Sequence, residues 1–196
     1  MQRGNEISKP GIFFPTPRAL ADRMVALAQL ERGNLVLEPS AGAGAIVEAI
    51  LGVRQDIGLT CIEINLLLIE KLKERHFESR CMELTIMDGD FLTREPPFLF
   101  DAVIMNPPFE NLADIDHVTH AWDLLRPGGR LVAIMGPGWT FREDKKAAAF
   151  RTWVDSITPL SAPWPLRAGH WEKLPEGTFK ESGTMVNSIL LFARKD

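Results

Sequence analysis

The chain has 196 residues, 45% of them hydrophobic and 24% charged, and a net charge of −4. That make-up suits a soluble globular protein with one sizeable core and excludes a disordered chain or a broad cationic surface that wraps nucleic acid nonspecifically, leaving only a local basic face for such a partner. No apolar run approaches the ~20 residues needed to cross a bilayer. The opening Met1-Gln-Arg-Gly-Asn-Glu6 lacks the charged-then-apolar pattern of a signal peptide. Cys61 and Cys81 are too few and too separated for a disulfide framework or a zinc site, so the expectation is a cytoplasmic protein without membrane or metal.

Residues 1–11 are polar and read as a mobile lead-in. Gly11-Ile-Phe-Phe-Pro-Thr-Pro17 follows, and its two prolines keep it out of a helix interior. Thr16 is expected to cap a helix that begins at Pro17, with Phe13 and Phe14 as a hydrophobic staple. Leu20, Met24, Leu27 and Leu30 then recur at helical spacing until Gly33. Residues 35–38 form a short apolar strand ending in a carboxylate. After it comes Pro39-Ser-Ala-Gly-Ala-Gly-Ala45 and a helical stretch to about Leu51. Strand, glycine turn and helix in this order place a ligand over a helix N-terminus, and Gly42 and Gly44 permit close approach of the backbone. The turn lacks the third glycine of the dinucleotide fingerprint and the lysine of a phosphate-binding loop, which argues against nucleotide triphosphate chemistry.

Residues 58–65 form the next strand. Glu63 lies near its end, about 20 residues past the glycine turn, where a carboxylate can hold two ribose hydroxyls; the structural alternative is a cap on the helix predicted over 66–76. Residues 81–87 give a third strand with the polar exit Asp88-Gly-Asp-Phe91, either an adenine contact or a simple turn. Asp101-Ala-Val-Ile-Met105 reads as a buried parallel strand that runs into Asn106-Pro-Pro-Phe109. Pro107 and Pro108 have no N–H and end strand pairing, while Asn106 is held extended by the proline after it. The result is a stiff turn offering an amide, bare carbonyls and an aromatic ring, which suits a planar group carrying an NH2.

A helix is expected over 115–125, stopped by Arg126-Pro-Gly-Gly129, and a fifth strand over 130–135. Residues 143–157 form a charged helix whose Lys145, Lys146 and Arg151 face either a phosphate backbone or solvent. The tail reads as an irregular loop from Trp171 followed by a strand over 185–193. Strands alternating with helices indicate an α/β sheet with helices on both faces, organised as one domain over 1–196.

The succession Phe14-Pro-Thr-Pro17, Glu38-Pro-Ser-Ala-Gly-Ala-Gly44, Ile62-Glu-Ile-Asn65, Gly89-Asp-Phe91 and Asn106-Pro-Pro-Phe109 resembles the class I S-adenosylmethionine-dependent methyltransferases, in the branch that methylates exocyclic amino groups. The resemblance implies a Rossmann-like seven-stranded, mostly parallel sheet with an antiparallel last strand. It implies that Glu38, Ser40, Gly42 and Gly44 line the methionine part of S-adenosyl-L-methionine, that Glu63 holds its ribose, and that Asp90 and Phe91 meet its adenine. Phe14 and Thr16 would close over the cofactor, with Phe14 near the sulfonium and Asn106 bordering it. Asn106 and Pro107 would polarise the target amine, and Pro108 and Phe109 would hold its ring. Phe179 would either stack on the opposite face or anchor its loop on the core, with Lys180 beside it for a phosphate.

The order of the pieces is similar to the γ group of adenine-N6 DNA methyltransferases, which makes DNA the first expectation. RNA adenine methyltransferases and release-factor glutamine methyltransferases share much of the pattern, so ribosomal or transfer RNA and a protein glutamine amide are alternatives. A non-catalytic cofactor-binding module is the remaining one. The γ enzymes normally carry a separate target-recognition domain that this sequence does not supply, so specificity is expected from short loops or from a partner.

Overall fold

In the computed structural model, residues 14–94, 96–159 and 171–196 are described. The lead-in expected over 1–11 and the staple role of Phe13 lie outside them. Five parallel strands form the centre: β1 (Leu35–Glu38), β2 (Gly58–Glu63), β3 (Glu83–Asp88), β4 (Phe100–Met105) and β5 (Leu125–Met135). The sheet continues through two short segments, β6 (Thr158–Pro159) and β7 (Trp171–Lys173), and through β8 (Ile189–Arg194). Strand β8 runs antiparallel to β5, and β6 and β7 both pair with its outer edge, giving the order β3-β2-β1-β4-β5-β8-β6. The seven expected positions are therefore present, with the outermost shared by two segments. It is the mostly parallel, Rossmann-like sheet that the resemblance implies.

Alternation along the strands sends residues to two cores. Ala102, Ile104, Val132 and Ile134 face α1 (Arg18–Ala28) and α2 (Ala45–Val53), joined by Leu72 of α3 (Leu66–Glu74). Val103, Met105, Leu131 and Ala133 face α4 (Ala113–Asp123) and α5 (Lys145–Ser156) on the other side. Helices thus cover both faces, and all five parallel strands release their chains at one edge.

Several local expectations are revised. Thr16 does not cap α1; Pro17 occupies the N-cap position without a side-chain bond, and the Thr16 hydroxyl is engaged elsewhere. The Arg126-Pro-Gly-Gly129 segment does not merely stop a helix. It is a bulge inside β5, since pairing jumps from Phe100–Leu125 to Ala102–Arg130 with Gly128 at φ 81°. Trp171 begins a strand instead of a loop, because its segment finds free hydrogen-bonding groups on the edge of β8. Strand β8 starts only at Ile189, leaving Met185 and Val186 exposed before it.

One buried acid ties two strand exits together. Asp114 in the first turn of α4 is 1% exposed; its Oδ2 accepts the Gly136 N–H at 2.9 Å, just past β5, and its Oδ1 accepts the Ile115 N–H at 3.1 Å. Burial pushes its carboxyl up to about 6 against these two donors and the Lys146 ammonium. The folded protein therefore holds this proton more tightly than the unfolded chain, and the group's contribution to stability is greatest below the ordinary carboxylate range and falls as pH rises through about 6. Comparing denaturant unfolding of the wild type with Asp114→Asn between pH 4 and pH 7.5, the wild type should lose on the order of 2 kcal/mol relative to the variant as pH rises. A difference that is flat with pH, or that grows in favour of the wild type, refutes this.

Candidate cofactor and amine site

The exits of the parallel strands gather the polar residues. Glu38 ends β1, Glu63 ends β2, Asp88 ends β3, and Asn106 follows β4 directly. A small cavity opens between Phe14, Thr16, Glu38, Ser40, Ala41, Ala45, Ile46 and Asn106. It lies over the N-terminus of α2, in the crevice at the carboxyl ends of the strands where open α/β sheets take their ligands.

Two carboxylates stand at these strand exits, Glu38 lining the cavity and Glu63 at the end of the neighbouring strand, and they are treated differently. Glu63 is 8% exposed, and both its oxygens accept backbone N–H groups, from Gly42 at 2.7 Å and Asn65 at 2.8 Å. The α3 cap, the structural alternative for Glu63, is taken by Asn65, whose Oδ1 accepts the Leu67 N–H at 3.0 Å. Glu38 is 1% exposed, and its Oε2 has no hydrogen-bond partner among the described residues. Burial and then the neighbouring Glu63 hold its carboxyl well above the usual range, offset only in part by the Val47 N–H. A buried, partnerless carboxylate oxygen beside a cavity favours a cationic or N–H-bearing ligand group.

The glycine turn serves this arrangement. Gly42 at φ 55° turns its N–H onto Glu63, linking β1 to β2 through the loop. Gly44 has φ 82°, and a Cβ there would stand 2.7 Å from both Leu72 and Phe77. Its glycine is thus required by the α2 turn and by packing on α3, whereas the expectation was close approach to a cofactor.

At the β4 exit the Asn106 side chain reaches the N-terminal segment. Its Nδ2 donates to the Thr16 Oγ1 at 3.1 Å and to the Phe14 carbonyl at 3.3 Å. A carbonyl can only accept, so the amide orientation is determined and Oδ1 is the end left over. No donor among the described residues is bonded to it. Pro107 is buried, Pro108 exposed, and Phe109 half-buried, its Cβ 3.3 Å from where a Cβ on Gly136 would lie. Sequence reasoning missed the residue on the other side of the N-terminal segment: the Ser182 hydroxyl donates to the Pro15 carbonyl at 2.6 Å. It also missed Asp114, which the helical spacing Asp114, Val118, Ala121 would have placed on the buried stripe.

Two expected aromatic contacts are not supported by the geometry. The Phe91 ring is 3% exposed and packs against His117 and His120 with centroids 5.7 and 4.6 Å away, leaving no face or edge for an adenine. Asp90 is exposed but spends Oδ1 on the Leu92 N–H, so its turn-forming role is realised. Phe179, 2% exposed, packs in the core with Leu174, Leu190 and Phe192; it is the loop anchor and cannot stack on a base. Lys180 beside it is exposed. Of the cations on α5, Lys146 pairs with Asp116 and Arg151 donates to the Trp139 and Arg142 carbonyls, which commits them to the fold.

Comparisons with known proteins agree with the fold. Two curated relatives are an rRNA methyltransferase of Streptomyces thermotolerans, 32% identical over 105 residues, and the ribosomal RNA small subunit methyltransferase C of Shewanella loihica, 34% identical over 79 residues. The matches cover 54% and 40% of this chain but only 34% and 22% of those proteins. Among solved structures, one from Vibrio vulnificus YJ016 assigned as a modification subunit of a type I restriction enzyme superposes with a TM-score of 0.75 at 18% identity, over 96% of this chain and 46% of that one. No helix among the described residues is long and apolar enough to cross a membrane. Residues 15–143 match the methyltransferase small domain, and the chain belongs to that family of S-adenosyl-L-methionine-dependent methyltransferases.

Proposed function

We propose that the protein transfers a methyl group to an exocyclic base amine in RNA, adenine N6 first among them. The observation that carries the reading is the orientation of Asn106: with Nδ2 committed to Thr16 and Phe14, Oδ1 is free to accept from an incoming NH2. The preference for RNA over DNA rests on the two relatives above 30% identity, both rRNA methyltransferases. DNA is the second reading, favoured by the order in which Phe14-Pro-Thr-Pro17 precedes the glycine turn.

The cofactor supplies an electrophilic methyl carried on a sulfonium. Glu38 fits its amino-acid end, because a partnerless buried carboxylate oxygen gains most from an ammonium. Glu63, steadied by the Gly42 and Asn65 N–H groups, keeps lone pairs for ribose hydroxyls, and Ser40 lines the cavity with Glu38. Phe14 borders the cavity with an aromatic face that tolerates positive charge. The lone pair of a base amine is spread into its ring, so the nitrogen is a weak nucleophile. Hydrogen bonds from its two N–H groups to Asn106 Oδ1 and the Pro107 carbonyl raise its electron density and stabilise the charge that develops as the methyl arrives. Phe109, with Pro108 at the rim, is the ring on which the base rests. Lys180 is an exposed cation on the loop beside the N-terminal segment and meets the phosphate backbone.

Incubation with labelled cofactor and ribosomal or transfer RNA, followed by digestion to nucleosides, should release N6-methyladenosine. Label on DNA alone moves the assignment to the second reading, and label on no nucleic acid overturns both. Asn106→Ala should lower turnover on the order of 100-fold or more while cofactor affinity stays within a few-fold. Phe109→Leu, which preserves the packing near Gly136 but removes the ring, should lower kcat/KM by about 5- to 150-fold. An unchanged value would remove Phe109 from the substrate site.

A further inference from the structure

We propose that Thr16 is a positioning residue for methyl transfer: its hydroxyl holds the Asn106 amide in the orientation that the Phe14 carbonyl selects. The proposal rests on the amine-methylation reading above and assigns a new role to a residue expected only to cap a helix or to close over the cofactor. A side-chain amide can lie either way round at similar cost unless its neighbours discriminate. With Oδ1 toward the substrate, Asn106 accepts a hydrogen bond from the amine. Turned over, it presents two N–H donors to a group that is itself a donor, and the contact becomes repulsive.

The Phe14 carbonyl, which can only accept, decides between these states, and the Thr16 hydroxyl, which can pair with either end, supplies the second hydrogen bond that holds the amide there. The Phe14 carbonyl lies 3.3 Å from Nδ2, at the long end of hydrogen bonding, and the Thr16 Oγ1 lies at 3.1 Å. Thr16 is 7% exposed, so its hydroxyl is held away from bulk water and gives Asn106 a partner that water does not readily replace. The segment carrying both acceptors is pinned on its far side, where the Ser182 hydroxyl donates to the Pro15 carbonyl at 2.6 Å. Phe14, Pro15 and Thr16 thus form a strap fastened at one side by the loop before β8 and at the other by the catalytic amide. Through it, the segment that borders the cofactor cavity also orients the acceptor for the amine.

Thr16→Val keeps the shape and removes the acceptor; Thr16→Ser restores it. With asparagine side chains labelled in 15N, the Asn106 Nδ2 protons, identified by their loss in Asn106→Ala, should exchange slowly in the wild type and in Thr16→Ser. In Thr16→Val they should exchange about 5- to 10-fold faster, the loss of one neutral hydrogen bond. In turnover assays Thr16→Val should lower kcat about 10-fold with cofactor Kd within about 3-fold, Thr16→Ser should recover most of it, and Thr16→Val should add nothing to Asn106→Ala. The proposal fails if Thr16→Val weakens cofactor binding and leaves kcat intact, if it slows Asn106→Ala as much as the wild type, or if Nδ2 exchange is unaffected. If Asn106→Ala itself turns over normally, the amine reading fails instead, and the exchange measurement still reports whether Thr16 holds the amide.

Discussion

Two carboxylates buried at neighbouring strand exits are the constraint around which this edge of the sheet is built. Parallel β1 and β2 bring Glu38 and Glu63 close together, and burying like charges is costly unless each finds partners. Glu63 is satisfied within the protein by two backbone N–H groups, one of which exists only because Gly42 takes a positive φ. Glu38 is not satisfied, and its carboxyl is held protonated more readily than an ordinary glutamate. The fold therefore leaves one oxygen beside the cavity whose unfavourable burial a bound ammonium offsets. In the proposed function, cofactor recognition follows from this incomplete electrostatic solution.

The β4 exit, the proposed amine side, depends on a different set of hydrogen bonds. Pro107 and Pro108 donate nothing, so the β4 exit offers acceptors and lacks competing donors. The Asn106 amide supplies the one discriminating group, and its donor end is occupied by Thr16 and Phe14. Because Phe14, Thr16 and Asn106 also line the cavity with Glu38, the proposed cofactor and amine halves share walls. Displacing the whole N-terminal segment, unlike removing one hydroxyl, would then be felt in both halves.

The fold was legible where local pattern and tertiary context agree. The five parallel strands follow from short β-branched runs between helical stretches, and the glycine and proline turns mark their exits. What was not legible depends on partners distant in sequence. Trp171–Lys173 becomes a strand only because β8 has an open edge, and Arg126-Pro-Gly-Gly129 becomes a bulge only because Phe100 and Ala102 pair on either side of it. For the candidate site, the residue types named Phe14, Thr16, Glu38, Ser40 and Asn106, which line one cavity, but did not give their contacts. Phe91 and Phe179 are aromatic at plausible positions, yet each had a core to fill, and burial of a large ring outweighs exposure for a ligand. Thr16 carried a cap signature that a competing acceptor role displaced. Ser182 had no signal, since its bond spans 167 positions of chain.

The segment after the motif shows how the turn is held in place. Asn111 and Leu112 both adopt left-handed conformations, at φ 54° and 59°, immediately before α4. Asparagine visits that region readily, but for leucine it costs about 1–2 kcal/mol. The strain is opposed by burying the Leu112 side chain, 6% exposed, in the core it shares with Met105 and Trp139, and by the two N–H groups on Asp114 two residues later. Those bonds draw the β5 exit at Gly136 against Phe109, where any side chain in place of glycine would crowd the ring. A straight continuation from Phe109 into a helix would avoid the strain but would not carry Asp114 back to Gly136. The two left-handed residues thus bind the ring of the motif to a second strand exit, and its position is set by the sheet and not by a free loop.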